Sequence, residues 1–194
     1  MSEHIDLDEL ISEHTRIIET LYKMVPDIER VAALCISVIE NGGKIIFAGN
    51  GGSAADAQHL SAELTGRFML NRRALPALAI STDTSALTAI GNDFGYENVF
   101  CRQLEGIHRN GDLFIAISTS GNSANLLKAV EFCLANDVHV VGLLGGGGGK
   151  LGQLINDALI VKSEQTARIQ EAHIFIGHCI CQIVEKHFAK FGNE

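Results

Sequence analysis

Tryptophan is absent from this chain of 194 residues, and only 2 residues are proline. Several modules joined by linkers would need more proline, so the scarcity argues against that organisation. No apolar run approaches the roughly 18 residues that a membrane-spanning helix requires. Basic residues are few, 15 against 23 acidic ones, and the net charge is −8. We therefore expect neither nucleic acid nor a membrane surface as a partner.

A secretory signal is also missing from the start of the chain. Residues 1–6 contain no basic segment followed by an apolar core. The 5 cysteines are an odd number and lie mostly in apolar helical stretches, which fits reduced thiols. Cys179 and Cys181 are two residues apart and point to different sides of a helix, so they suit neither a disulfide nor a shared metal. These features predict a cytoplasmic protein.

What remains is the composition of a globular protein, with 46% hydrophobic and 20% charged residues. Two helical patterns, over residues 5–24 and from Pro26 to about residue 41, precede an alternation of short apolar runs and helical stretches. The predicted strands are Lys44–Ala48, Ala77–Ile80, Leu113–Ile117, Val138–Leu143 and Ala158–Val161. The predicted helices between and after them are Ser53–Leu64, Thr84–Ile90, Asn98–Ile107, Ser123–Asn136 and Ala167–Lys190.

This alternation predicts an α/β fold, a three-layer, doubly wound sheet of five parallel strands with helices on both faces. We expect a single domain over residues 1–194, in which residues 43–194 form the ligand-binding core. Residues 1–42 form N-terminal helices that would pack in an oligomer. The last helix is apolar on almost every side, which also favours packing against another subunit.

Two Gly/Ser-rich turns each lie between a predicted strand and a predicted helix. The first turn is Gly49–Ser53 and the second turn is Ser118–Ser123. In each, glycine lets the backbone approach a ligand, and the N-terminus of the next helix favours an anion. Both lie at the carboxyl edge of the sheet, where open α/β folds bind ligands. Together they predict a site for a phosphorylated small molecule.

The two turns differ in how strongly they point to a ligand. The second crowds four hydroxyl groups around Gly121, whereas a helix cap needs one, so we favour phosphate binding there. The first has neither the G-x-G-x-x-G spacing of dinucleotide sites nor the lysine of a Walker A loop. Ser53 is equally well explained as an ordinary helix N-cap. The run Gly145–Gly149 predicts a mobile surface loop.

Polar side chains on two predicted helices are candidates for chemistry. His59 and Glu63 lie one helical turn apart, either as a solvated pair or as metal ligands or an acid–base pair. Gln170 lies on the last helix. It can face the same site as His178, which is eight positions later on that helix. Spacing does not decide which other polar residue of that helix is functional: Glu171, His173 or His178.

Two further groups have ordinary and functional explanations of similar weight. Gly91-Asn92-Asp93 follows a predicted helix and either caps it or contacts a ligand, or does both. A cluster of arginines follows the helix of His59 and either steers an anionic substrate or is simply solvated: Arg67, Arg72 and Arg73.

Five motifs in this order are far more specific together than any one alone. They are Gly49-Asn50-Gly51-Gly52-Ser53, His59-x-x-x-Glu63-Leu64-Thr65-Gly66-Arg67, Gly91-Asn92-Asp93, Ser118-Thr119-Ser120-Gly121-Asn122-Ser123 and Arg168-Ile169-Gln170-Glu171-x-His173, with His178 beyond them. From the first helix to the last, the chain closely resembles the phosphoheptose isomerases, single-domain members of the sugar-isomerase (SIS) superfamily.

The resemblance implies a homotetramer that converts sedoheptulose 7-phosphate to D-glycero-D-manno-heptose 7-phosphate through an enediol(ate). This is the first step towards nucleotide-activated heptoses for lipopolysaccharide and other surface glycans. The acid–base pair would be Glu63 and His178. One zinc ion per subunit would be held by His59, Glu63, Gln170 and His178. The phosphate would be held by Ser118, Thr119, Ser120 and Ser123. The sugar site would be lined by Asn50, Gly51, Gly52, Ser53, Glu63, Asn92, Asp93 and Gln170.

The chain departs from the family pattern at Ala167, where some relatives carry an aspartate, and in its five-glycine run. Three rival functions share the fold: a regulator that binds the replication initiator, a sugar-phosphate sensor that does not react, and an isomerase of another sugar phosphate. The regulator lacks the Glu and the late His, so Glu63 and His178 favour the enzyme. Whether zinc is catalytic or partly structural stays open.

Overall fold

The computed structural model describes residues 5–189, so the predicted helix end at Lys190 and both ends of the predicted domain lie outside the described residues. The strands within this range are β1 (Ile45–Gly49), β2 (Ala77–Ala79), β3 (Leu113–Ser118), β4 (His139–Gly145) and β5 (Asp157–Val161). The helices are α1 (Leu7–Thr20), α2 (Val25–Glu40), α3 (Gly52–Thr65), α4 (Thr84–Phe94), α5 (Cys101–Ile107), α6 (Ala124–Ala135), α7 (Leu151–Leu154) and α8 (Thr166–Ala189).

All five strands are parallel, and their order across the sheet is β2-β1-β3-β4-β5. This confirms the predicted doubly wound α/β fold. From β1 the chain adds β2 on one side of the sheet and then crosses back to add β3, β4 and β5 on the other side. The boundary between β1 and β3 is the switch point where such sheets bind ligands. Ile45 pairs with Leu113 and Gly49 pairs with Ile117, so the two strands end side by side. The first and second turns therefore start as neighbours.

Alternate side chains of the central strands face two separate cores. In β3, Leu113 and Ile115 point to the core formed with α2, α3 and α8, whereas Phe114 and Ala116 point to the core formed with α5, α6 and α7. Strands buried on both faces must be apolar throughout, which explains the continuous apolar runs in the sequence. Because α3 and α8 cover the same face, side chains of these two helices can meet.

The N-terminal region forms two helices joined by a 3₁₀ turn at Leu21–Met24. Asp6 caps α1, since its carboxylate accepts the backbone N–H groups of Asp8 at 3.0 Å and Glu9 at 3.3 Å. Both helices contact α8. Among residues 5–189, no helix combines the length and the apolarity that crossing a membrane would require.

Three elements differ from the sequence expectations. Gly91-Asn92-Asp93 does not follow α4 but forms its last turns, because the helix continues to Gly95, which takes a φ of +88°. The predicted helix Asn98–Ile107 is a 3₁₀ turn at Tyr96–Asn98 followed by α5. α7 has only four residues, too few to give a periodic apolar pattern in the sequence.

Candidate functional site

The first turn joins β1 to α3 and depends on glycine at two positions. Gly51 takes a φ of +55°, which residues with side chains rarely adopt. Gly52 leaves space for the amide of Gln170, with which a Cβ at this position would overlap. The N-cap of α3 is Gly51, and Ser53 is buried in its first turn, so the explanation of Ser53 as the cap is wrong.

A pair of amides joins the first turn to the second. Asn50 Nδ2 donates to Asn125 Oδ1 at 2.9 Å, and Asn125 Nδ2 donates back to Asn50 Oδ1 at 2.8 Å. The Tyr96 hydroxyl donates to the same Asn50 oxygen at 3.2 Å. An amide nitrogen has two N–H groups, so Asn50 can still offer one to a ligand. The sequence pattern does not identify Asn125; its position two residues after Ser123 is its only signal.

The second turn presents hydroxyl groups around the N-terminus of α6. Ser118 Oγ accepts the N–H of Gly121 at 3.0 Å, and Ser120 Oγ accepts that of Asn122 at 3.2 Å. Ser123 is the N-cap residue of α6, yet its hydroxyl makes no capping hydrogen bond and lies 3.4 Å from Ser118 Oγ. Because this hydroxyl does not cap the helix, the geometry favours an anion at the helix N-terminus over simple capping.

The five-glycine run packs against the second turn and does not extend freely from the surface. Gly121, at a φ of +64°, lies so close to the carbonyl group of Gly148 that a Cβ would overlap with it. A Cβ at Gly145 would likewise overlap with the carbonyl oxygen of Thr119. Within the run, only Gly147 is exposed to solvent. Glycine is needed because two stretches of backbone are in contact, so the run supports the second turn.

Three side chains from α3 and α8 converge in what we call the acid–base cluster: His59, Glu63 and His178. Nε2 of His59 lies 2.9 Å from Nε2 of His178 and 3.4 Å from Oε1 of Glu63. One possible ligand atom from each residue lies within 4.8 Å of the other two. His59 and His178 are 119 residues apart in the chain. The cluster therefore exists only because α8 packs beside α3.

A glycine on α8 permits this close packing. Gly177 precedes His178, and Leu60 follows His59. A Cβ at Gly177 would lie 2.5 Å from the methyl carbons of Leu60. A larger residue would push the two helices apart and separate the imidazoles. Sequence reasoning misses Gly177, although a single glycine inside a long apolar helix is a recognised sign of close packing.

The surroundings of His178 favour its neutral form. Burial lowers the pKa of the imidazole below its usual value, the adjacent His59 lowers it further, and Glu63 acts in the opposite direction. The ring of Phe68 lies with its centroid 5.4 Å from that of His178, at an angle of 35°. A neutral imidazole can donate a proton, accept one or bind a metal ion. Asp56, one turn before His59, is also perturbed, since burial raises its pKa to about 6.

The acid–base cluster fits a zinc ion. Zinc binds imidazole nitrogen and carboxylate oxygen at about 2.0–2.2 Å in a tetrahedral arrangement, which places ligand atoms about 3.3 Å apart. The separations of 2.9 Å and 3.4 Å in the cluster are close to that value. The fourth predicted ligand, Gln170, packs its amide against Gly52. A role for Gln170 in holding the ion stays a prediction.

The structure separates the polar residues of α8. Glu171 faces α1, where its carboxylate lies 2.8 Å from Nδ1 of His14. His173 is fully buried, and burial lowers the pKa of its imidazole to about 4. His178 is the one of the three that joins the acid–base cluster. Spacing could not make this distinction, because it depends on which side of α8 meets α3.

Two further predicted site residues lie in the last turns of α4. Asn92 and Asp93 are exposed on α4, and Asn92 Nδ2 donates to Asp93 Oδ1 at 2.8 Å. Tyr96, three residues beyond Asp93, connects this segment to Asn50. That Asn92 and Asp93 bind the sugar stays a prediction.

The three arginines considered for steering have different surroundings. The side chain of Arg72 is fully buried and lies 3.5 Å from the carboxylate of Glu185, so it cannot attract substrate from solution. The guanidinium of Arg73 lies 5.2 Å from the ring centroid of Phe188. Arg67 is exposed.

Similar proteins share this arrangement of elements. Residues 9–145 match the SIS domain family. A phosphoheptose isomerase of Sulfurimonas denitrificans is 50% identical over 183 residues, which cover 93% of this chain and 94% of that protein. One from Nitratiruptor sp. is 49% identical over 97% of this chain and 100% of that protein. The solved structure of a phosphoheptose isomerase from Neisseria gonorrhoeae has a TM-score of 0.88 at 43% identity, covering 93% of this chain and 97% of that one.

Proposed function

The chain belongs to the phosphoheptose isomerase family of SIS-domain proteins, and on this basis we propose how its own residues perform the reaction. It is an isomerase that converts sedoheptulose 7-phosphate to D-glycero-D-manno-heptose 7-phosphate in heptose biosynthesis. The observation that carries the proposal is the convergence of Glu63 and His178, from helices that both begin at the ligand-binding edge of the sheet. His59 lies seven residues into α3, about 10 Å from its start by helical rise. An extended seven-carbon sugar has a comparable length.

Glu63 acts on carbon, and His178 acts on oxygen. The Glu63 carboxylate removes a proton from C1 of the ketose, exchanges it with solvent, and then protonates C2 of the enediol(ate). His178 carries a proton from the C1 hydroxyl to the C2 oxygen, so that C1 becomes an aldehyde and C2 an alcohol. A neutral imidazole can give a proton to one oxygen and take one from the other, as this relay requires. The lowered pKa of His178 supports that form.

The phosphate binds at the second turn, and the sugar chain extends from there towards the acid–base cluster. The N-terminus of α6 and four hydroxyl groups hold the phosphate, those of Ser118, Thr119, Ser120 and Ser123. The contact between Asn50 and Asn125 keeps the two turns together. The sugar is lined by Asn50, Gly51, Gly52, Ser53, Asn92, Asp93 and Gln170.

A zinc ion, one per subunit, would be held by His59, Glu63, Gln170 and His178. Two imidazoles and a carboxylate form a donor set that zinc sites use, and their spacing supports the assignment. Zinc held there would supply Lewis-acid polarisation of the substrate carbonyl. His59 would help to hold the ion and would take no part in proton transfer.

The functional unit is a homotetramer in the cytoplasm. Within the described chain, α1 has no buried residue. Leu7 is 66% exposed, Ile11 63% and Tyr22 80%. Large apolar side chains grouped in this way are typical of surfaces that another protein covers. Neighbouring subunits therefore cover the exposed apolar side chains of α1 and of the 3₁₀ turn that follows it.

The decisive experiment offers three sugar phosphates to the protein: sedoheptulose 7-phosphate, fructose 6-phosphate and arabinose 5-phosphate. We expect turnover of the seven-carbon sugar alone. Preferential turnover of a shorter sugar would overturn the substrate assignment. Running the reaction in deuterium oxide separates an enzyme from a sensor or regulator, because only proton abstraction introduces solvent deuterium into the sugar. Tight binding without deuterium incorporation would support the sensor, and the absence of turnover would support the regulator.

A further inference from the structure

A buried ion pair lies between the end of α3 and the later part of α8. The side chain of Arg72 is fully buried, and Glu185 of α8 is 1% exposed. Nε of Arg72 lies 3.5 Å from Oε1 of Glu185. Replacing a buried ion pair by well-packed apolar residues is often neutral or stabilising. Stability alone therefore does not account for this pair.

Glu185 fixes the chain segment that follows α3. Its carboxylate accepts the backbone N–H groups of three successive residues, Phe68 at 2.8 Å, Met69 at 2.6 Å and Leu70 at 2.8 Å. Burial by itself would raise the pKa of Glu185, but these donors and Arg72 hold it below its usual value. The carboxylate is therefore ionised at neutral pH and keeps the segment in place.

Arg72 holds the end of α3. Its terminal nitrogens donate to the carbonyl oxygens of Glu63 at 2.7 Å and Leu64 at 2.9 Å. They also donate to those of Gly66 at 3.1 Å and Arg73 at 2.9 Å. The last carbonyl groups of a helix have no partner inside the helix, so the guanidinium acts as a cap. The carbonyl held at the shortest distance belongs to Glu63, a member of the acid–base cluster.

The same pair reaches His178 through Phe68. Glu185 holds the backbone of Phe68, whose ring lies against the imidazole of His178. His178 and Glu185 are seven residues apart on α8, which is about two helical turns. The pair thus contacts the backbone of Glu63 on α3 and, through one aromatic ring, the imidazole on α8.

We infer that Arg72 and Glu185 are positioning residues that set the separation of Glu63 and His178 by joining the end of α3 to α8. The inference rests on the proposed function of the acid–base cluster. Both residues act through groups of the site, the Glu63 backbone and the Phe68 ring. Loosening the pair should lower kcat much more than it raises KM, because the phosphate binds at the second turn on β3 and α6.

The test uses two variants and one matched control. Glu185→Gln keeps the side-chain shape but places an N–H group against the N–H donors, and Arg72→Lys keeps the charge but loses the forked contacts. Both should lower kcat for sedoheptulose 7-phosphate roughly 10- to 100-fold, with KM changed less than about threefold. The control is Glu40→Gln, since Glu40 pairs with His187 of α8 at 2.7 Å on the surface. It should keep the wild-type kcat.

A spectroscopic readout separates positioning from folding. In the folded holoenzyme, the ring-current shift that Phe68 imposes on the His178 imidazole protons should decrease in both variants, as measured by NMR. Folded variants with unchanged kcat and unchanged shift would overturn the inference, as would a loss of kcat that merely follows the unfolded fraction. If Glu185→Gln does not fold, Glu185→Asp takes its place, with the same charge and a shorter reach. Failure of the wild type to isomerise the heptose would overturn the proposed function, while the NMR shift would still decide the positioning.

Discussion

The two ends of the proposed site are built in opposite ways. The phosphate end is a single turn, Ser118–Ser123, whose shape depends on glycine and on the start of α6. The acid–base end joins two residues of α3 to His178, which is 119 positions away from His59. A local turn tolerates small movements of the helices, whereas the acid–base cluster does not. Changes at the first end should therefore alter binding, and changes at the second should alter chemistry.

The largest expected effect is a loss of turnover at the acid–base end that leaves substrate binding at the phosphate end largely intact. Glu63→Gln and His178→Gln should each lower kcat at least about 1,000-fold, because each removes one proton-transfer group. Binding of the sugar phosphate, measured by calorimetry, should weaken far less, since the second turn is intact. The oligomeric state, measured by light scattering, controls for folding. A near-normal rate in either variant would remove that residue from its proposed role.

A change at the phosphate end should have the opposite result, weaker binding of substrate with a smaller effect on turnover. Gly121→Ala forces a side chain into a φ of +64° and into the backbone of Gly148. We expect KM for the heptose phosphate to rise roughly 10- to 100-fold, with a smaller effect on kcat. Gly147→Ala is the matched control, because a Cβ there meets nothing within 4 Å. If both variants bind substrate equally well, the second turn does not hold the phosphate.

A smaller effect should follow from moving the two helices apart. Gly177→Ala places a Cβ 2.5 Å from Leu60, which should cost about 1–3 kcal/mol of stability and lower kcat and zinc affinity together. Gly106→Ala on α5 meets no atom within 4 Å and should be neutral or slightly stabilising. Thermal unfolding measures the stability of each variant, and zinc titration measures its affinity for zinc. Unchanged zinc affinity in a folded Gly177→Ala protein would show that close packing of α3 and α8 does not build the cluster.

The smallest effect on turnover is expected at His173, which lies on the same helix as His178 but outside the acid–base cluster. Burial lowers the pKa of His173 to about 4, below that of an unfolded histidine, so the unfolded chain binds this proton more readily. Stability should therefore fall as the pH drops from about 6.5 to 4, by on the order of 3 kcal/mol from this group. His173→Leu should remove that part of the acid sensitivity and leave turnover near normal. Urea unfolding at several pH values tests it, and an unaltered pH dependence would refute it.

Features set by local sequence patterns could be predicted well. Features that depend on contacts between distant parts of the chain could not. The strands could be located because apolar runs buried on both faces are visible in the sequence. The second turn could be identified because its hydroxyl groups are contiguous. In contrast, α4 extends past Gly91 because Gly95, and not Gly91, adopts the positive φ that ends the helix. The packing of the five-glycine run depends on its contact with Gly121, which no local pattern reveals.

The same limit applied within the site. The spacing of His59 and Glu63 was visible, but it fitted a solvated pair as well as a functional one. The family resemblance singled out His178, whereas its spacing on α8 did not. The residues that support the cluster, such as Gly177 and Glu185, show their role only through contacts with α3 and the segment that follows it. Their identities are not unusual in an apolar helix.

The central claim is that a carboxylate of α3 and an imidazole of α8 act on the same two carbons of one bound sugar. A crystal structure of the Glu63→Gln variant with sedoheptulose 7-phosphate tests it most directly. The phosphate should lie at the second turn, with C1 and C2 within about 3.5 Å of the side chains at positions 63 and 178. A bound sugar whose carbonyl end lies out of reach of both side chains would contradict the account.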